Sequence, residues 1–233
     1  FKHKKAYIYK IIFINIQNMK NSKIKLFQVL FILLFLIFSC GKKKIKQEMS
    51  NDPLNNKIIN PQEYKVNQNT SVLTWVGRKV SSGHNGTIML KNGYLNVSTD
   101  GIIDGEFNID MNSISVSDLQ GGGKASLERH LKNEDFFSVN DFPISNISFR
   151  SNKNHIMNNQ VDLNATLTIK NITHPINFTA TIIEVSPKLK LKADLVFDRS
   201  LYDVKYGSGK FFENLGDRLI LDEVQIGVDL EFN

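Results

Sequence analysis

The chain predicts an all-β fold: an antiparallel β-barrel with a short helix packed near one edge or mouth. Three observations predict it. Apolar and polar residues alternate with a period of two in several stretches, giving each stretch one dry and one wet face. Turn residues fall between the stretches. No helical segments recur between them to carry the crossovers that a parallel sheet needs. Closure into a barrel is favoured over an open sandwich because it alone removes exposed strand edges.

Taken in order, residues 1–18 begin with Phe1 and hold an apolar stretch from Ala6 to Ile16, so they are expected to be an upstream extension, with Met19 as the start. In residues 19–39, Lys20, Lys23 and Lys25 precede an apolar run, 26–38, broken only by Gln28 and followed by Ser39 and Cys40. The run is shorter than the roughly 20 apolar residues of a bilayer crossing and fits the core of a signal peptide. Residues 37–40 (IFSC) resemble the lipobox of bacterial lipoproteins, which makes Cys40 the expected lipidation site. As the only cysteine, it leaves none for a disulfide, so the domain must be stable through its core. Residues 40–63 are rich in Lys, Asn, Asp and Gln, with Pro53 and Pro61, and read as a flexible tether from lipid to domain. The expected location is the bacterial envelope, on the periplasmic face.

Residues 64–233 form the expected barrel domain. Asn92 and Gly93 predict a tight turn between the runs 87–90 and 94–97, and Asp100 with Gly101 predicts the next, leading toward Phe107, Ile109 and Met111. The stretch 124–137 breaks the pattern. There Leu127 and Leu131, four residues apart, predict a short helix. Beyond it, Val161, Leu163, Ala165, Leu167 and Ile169 face one way, and the runs 176–182, 189–197 and 224–232 repeat the alternation.

The net charge of +6 arises outside this domain. Seven of the 29 basic residues and no acidic ones lie in 1–40, and from Tyr64 onward 17 basic residues face 20 acidic ones. That balance offers nothing to track a phosphate backbone, so nucleic acid is excluded as a partner. No nucleophile-elbow, Walker, HExxH or dinucleotide motif occurs, and nothing demands an enzyme, a metal or a cofactor.

Several segments, in the same order, resemble the YceI family across nearly all of 64–233: 75–86 (WVGRKVSSGHNG), 107–114 (FNIDMNSI), 127–137 (LERHLKNEDFF), 141–143 (DFP) with Ser148 and Phe149, 167–178 (LTIKNITHPINF), 198–200 (DRS) and 205–217 (KYGSGKFFENLGD). The resemblance implies a lipocalin-like antiparallel barrel whose elongated apolar lumen takes a polyisoprenoid, such as a quinone tail. Many members carry ordinary cleavable signals, so the lipobox is a departure that places the barrel beside a membrane.

An eight-stranded barrel is either plugged by its own side chains or holds one slender ligand. Trp75, Phe107, Phe149, Phe178 and Phe197 lie on apolar strand faces and either line the lumen or pack the core. Phe136 and Phe137 either gate the lumen or staple the helix to the barrel. His84 and His130 lack metal-ligand spacing and are read as structural hydrogen-bonding groups, with His84 also a candidate at the ligand mouth. Asp198 and Arg199 are expected to form a buried pair, the alternative being that Arg199 meets a headgroup. Tyr202 and Tyr206, with the glycines between Tyr206 and Lys210, either close a loop over the mouth or belong to an ordinary connecting loop. The expected function is binding of a long-chain polyisoprenoid or similar amphiphilic lipid for transport, storage or sequestration, with no catalysis. The alternatives are an interaction lipoprotein with a filled barrel and a hydrolase or isomerase using His84 or His130. A homodimer stays open.

Overall fold

In this computed structural model the described residues are 59–157 and 159–233. The expected extension, the signal peptide, Cys40 and most of the tether lie outside them. The alternation resolves into nine strands: β1 (Gln62–Lys65), β2 (Val72–Lys79), β3 (Gly83–Val97), β4 (Ile103–Val116), β5 (Ile144–Met157), β6 (Gln160–Ile169), β7 (Ile172–Glu184), β8 (Lys190–Asp198) and β9 (Ile220–Glu231). A helix, α1 (Gly121–Lys132), stands between β4 and β5. Strand order thus begins at Gln62, just inside the segment read as tether, and Ile59 is already buried.

All pairings are antiparallel, and a β3–β4 ladder joins the two ends of the sheet order β3-β2-β9-β8-β7-β6-β5-β4 into a closed barrel. β1 does not add a ninth position. It pairs with the far half of β3 (Tyr64 opposite Leu95), whereas β2 pairs with the near half (Leu73 opposite Ile88). A bridge from Val66 to Phe232 continues the β2–β9 pairing, so β1 and β2 share one place in an eight-stranded wall.

Asn92 and Gly93 do not turn the chain, contrary to expectation. β3 runs straight through them, and a register shift between Leu90 and Asn92 absorbs one residue as a bulge. The glycine serves a close approach instead: a Cβ on Gly93 would lie 2.2 Å from the Phe107 ring and 2.8 Å from the Glu106 carbonyl. The turn falls later, at residues 98–101, where Gly101 takes a φ of +78°. A larger bulge sets residues 111–114 of β4 against Ile88 alone. Its polar groups are satisfied locally. The Met89 N–H donates to Ser113 Oγ (2.7 Å), Ser113 Oγ donates to the Asp110 carbonyl (2.6 Å), and the Asn112 N–H donates to Asp110 Oδ1 (3.0 Å).

The bulge carries Met111 and Ile114 into a second small core with Val139, against which Leu131 and Phe137 pack. That core holds α1 to the barrel. The helix ends at Lys132, earlier than the sequence suggests, and Phe136 and Phe137 lie in the turn that follows. Among the described residues no helix is long and apolar enough to cross a membrane.

Candidate functional site

The lumen has two unlike ends. Where the β3–β4, β5–β6 and β7–β8 turns gather, Leu189 and Phe232 pack it, each 2% exposed or less. Phe107 narrows the lumen near that end, its ring 5.3 Å from Phe149 and 6.2 Å from Phe232. A cavity of about 350 Å³ extends from Leu95, Ile103 and Val161, past this constriction, to the end carrying α1. Its wall is almost wholly carbon, drawn from inward positions of β2 to β9 and from α1 with the turn after it. Burying the same apolar faces in a slightly smaller lumen would have left no cavity. Its existence depends on how side-chain volumes sum across strands.

Of the ten ligand-site residues expected from sequence, Trp75, His84, Phe107, Phe136, Phe137, Phe149, Phe178, Phe197 and Arg199 border this cavity. Glycines make room for three of the rings. A Cβ on Gly86 would lie 2.6 Å from the Trp75 ring, and one on Gly105 would lie 2.6 Å from Phe149, in the same relation as Gly93 to Phe107. The Trp75 ring is oriented by its Nε1–H, which donates to the Thr87 carbonyl at 3.3 Å. The tenth residue, Tyr202, does not reach the cavity. It is buried behind the wall, edge-on to Phe197 (5.7 Å) and to His174 (5.2 Å). Burial of its hydroxyl raises its pKa, with the Asp198 charge adding to the effect.

The expected pairing of Asp198 with Arg199 is not made. Neighbouring residues at a strand end point to opposite faces, so Asp198 turns outward to Ser200 and Lys210 while Arg199 turns inward. Asp198 loses solvation, which raises its pKa, but the hydrogen bonds from Lys210 and Ser200 outweigh this and hold it below its ordinary value. Arg199, 2% exposed, donates Nη1 to the Val204 carbonyl (2.8 Å), Nη2 to Ile220 (3.1 Å) and Nε to Leu221 (3.2 Å). Its counter-ion is Asp222, with Oδ1 3.3 Å from Nη2 in a contact that lacks hydrogen-bond geometry. Desolvation lowers the Arg199 pKa and the Asp222 charge opposes that shift. These bonds commit Arg199 to tying the β8–β9 connection together.

Polarity gathers at the mouth. His84 Nδ1 lies 2.8 Å from Asp118 Oδ2, and Asp118 Oδ1 accepts from the Asn85 N–H at 3.2 Å. Desolvation raises the Asp118 pKa, but the hydrogen bonds from His84 and Asn85 prevail and keep it low. His130 Nε2 lies 3.1 Å from Asp135, and its ring stands edge-on to Phe136 (4.9 Å) and Tyr206 (4.7 Å). These three rings clasp the end of α1 to the loop that begins after Asp203. Sequence reasoning did not name His130 as a ligand contact and gave Tyr206 only as a candidate to close a loop over the mouth, and both border the cavity. It also passed over Val224, Ile226 and Val228, whose alternation was the available signal. Among the described residues no group of three or more His, Cys, Asp or Glu side chains is arranged to hold a metal ion.

A closed antiparallel barrel with an apolar blind lumen and a polar mouth defines a lipocalin-like architecture. The YceI-like domain model matches residues 64–232, and the chain belongs to that family. Among solved structures it is similar to BcnA of Burkholderia cenocepacia, with 18% identity, a TM-score of 0.57 and coverage of 71% of this chain and 98% of that one. It is also similar to a polyisoprenoid binding domain from Saccharophagus degradans implicated in plant cell wall breakdown, with 16% identity, a TM-score of 0.53 and coverage of 73% and 97%. At these identities the likeness establishes the shared fold. Comparison with curated proteins finds no match.

Proposed function

We propose that the chain binds a long-chain polyisoprenoid or similar amphiphilic lipid, with its tail in the lumen and its headgroup at the mouth, for transport, storage or sequestration in the bacterial envelope. The observation that carries this reading is the apolar cavity of about 350 Å³ that reaches from within the barrel to the polar mouth. Its volume lies within the roughly 300–1,000 Å³ of small-molecule sites. A tail that buried about 200 Å² there would gain about 5 kcal/mol before ordering costs are subtracted. The name of the Saccharophagus degradans domain supports the ligand class. A filled barrel, the premise of a purely interacting lipoprotein, is at odds with that open volume.

Trp75 is the only tryptophan in the chain and borders the cavity, so its fluorescence reports occupancy. Titrating the delipidated full chain with a prenylated quinone should quench Trp75 saturably, and a saturated hydrocarbon should compete. Absence of saturable quenching, together with no lipid in an organic extract of the purified protein, would overturn the reading. The anchoring part rests on the sequence around Cys40. Cells fed a radiolabelled fatty acid should label the chain, and Cys40→Ser should abolish the label; equal labelling of both chains would refute it.

A further inference from the structure

The barrel wall has an open seam. The β7–β8 ladder runs only from Glu184 opposite Lys190 to Ala180 opposite Ala193, four pairs in all, although β7 continues back to Ile172 and β8 on to Asp198. Among the described residues no ladder pair joins 172–179 to 194–198, whereas β6 pairs with β7, and β9 with β8, along those same stretches. Pro175 lies in the middle of the unpaired part of β7. Having no N–H, a proline inside a sheet is confined to an edge or a bulge, so β7 here is built as an edge.

The seam is bounded at both ends. At one end the ladder resumes. At the other, His174 Nε2 lies 3.1 Å from the Leu201 carbonyl, and Lys170 Nζ donates to the Asp203 carbonyl at 2.9 Å. Between them residues 175–179 leave about 16 Å of strand without a ladder partner on the β8 side. Both lips reach the cavity. Phe178 borders it from β7 and Leu195 and Phe197 from β8; within the adjoining ladder Ala180 borders it too, as does Lys192, although its position faces outward. On the outer side Val196, 50% exposed, stands on the β8 lip and Leu201, 48% exposed, just beyond its end, among the polar Asn177, Thr179 and Asp194.

We infer that the seam between β7 and β8 is a lateral portal through which the hydrocarbon tail enters and leaves the lumen. A tail sliding in sideways meets Val196 at the surface and then Phe178, Leu195 and Phe197 within, whereas threading end-on past the mouth means passing the His84–Asp118 pair and the ring clasp of His130, Phe136 and Tyr206. The inference rests on the lipid-binding reading of the cavity.

The test closes the seam reversibly. Continuing the ladder register places Asn177 opposite Val196, both exposed. In the full chain carrying Cys40→Ser, Asn177→Cys and Val196→Cys are bridged by a bifunctional methanethiosulfonate reagent that dithiothreitol removes. Bridging should slow prenyl quinone uptake, followed by Trp75 quenching, by at least about tenfold, with recovery on reduction. A bulky polyethylene glycol maleimide on Val196→Cys alone should act in the same direction. A parallel bridge between His130→Cys and Tyr206→Cys, at the mouth, should leave uptake faster than the seam bridge does. Unchanged uptake with the seam bridged, or slowing only by the mouth bridge, overturns the portal and spares the cargo reading. If even the unbridged, reduced protein takes up no quinone, the cargo reading itself fails and the portal falls with it.

Discussion

Arg199 shows what one residue can and cannot reveal before the fold is known. Its position at the end of an alternating run marked it as inward and in need of a partner, yet that partner, Asp222, comes from another strand 23 positions away. Three backbone carbonyls and one carboxylate depend on this guanidinium. Replacing it with leucine leaves the half-buried Asp222 with only Lys210, whose Nζ lies 3.9 Å from Oδ2, and strips three carbonyls of their donor, at about 1–3 kcal/mol for a buried group so stranded. Arg199→Leu should therefore lower the urea midpoint markedly, and Arg199→Lys should recover only part of it because a single ammonium cannot serve three diverging carbonyls. A loss under about 1 kcal/mol would show that the β8–β9 connection is held by other contacts. The aromatic residues were legible for a simpler reason. Trp75, Phe107, Phe149, Phe178 and Phe197 stand at alternating positions, and alternation determines the face. Tyr202 was misplaced because the 3₁₀ turn of residues Arg199–Tyr202 ends the alternation and turns its ring behind the wall.

At the scale of elements, α1 is the least firmly built. It begins with three glycines, Gln120 provides no side-chain cap, and none of its residues is fully buried. Glu128 fastens it to the end of β4, where Oε1 accepts from the Val116 N–H (2.9 Å) and from Ser115 Oγ (3.0 Å). The Val116 hydrogen bond is the main reason its carboxyl lies below the ordinary glutamate value, with burial opposing and Ser115 assisting. Because the folded pKa is depressed, this tie is fully present above the unfolded value and is lost as pH falls through the folded one. Amide protection of α1, corrected for intrinsic exchange, should be lower than that of β6 at neutral pH and drop further on acidification below the glutamate range. Glu128→Gln should flatten that drop; an unchanged pH dependence would place the anchor elsewhere. The helix was visible in the spacing of Leu127 and Leu131. Its end was not, because Phe136 and Phe137 belong to the turn that packs against the second core. Similarly, Asn92 and Gly93 carry a strong turn signal, but β3 keeps both in its ladder opposite Asn108 and Phe107, with the extra residue of the bulge at Lys91.

For the whole molecule, the barrel is asymmetric along its length. Its packed end receives the chain at Ile59 and β1, while the opposite end bears the cavity mouth, α1 and the long β8–β9 connection. The sequence by itself determined the all-β class, the face of nearly every inward residue, the presence of a helix after β4 and the family resemblance, since each of these is written in local periodicity or in contiguous motifs. Tertiary structure alone decided that the lumen is part filled and part open, that Arg199 meets Asp222, and that β7 and β8 part beyond Ala180. These depend on volumes, distances and hydrogen bonds summed over strands remote in the chain. A period of two says which way a side chain points and nothing about how much room it finds there.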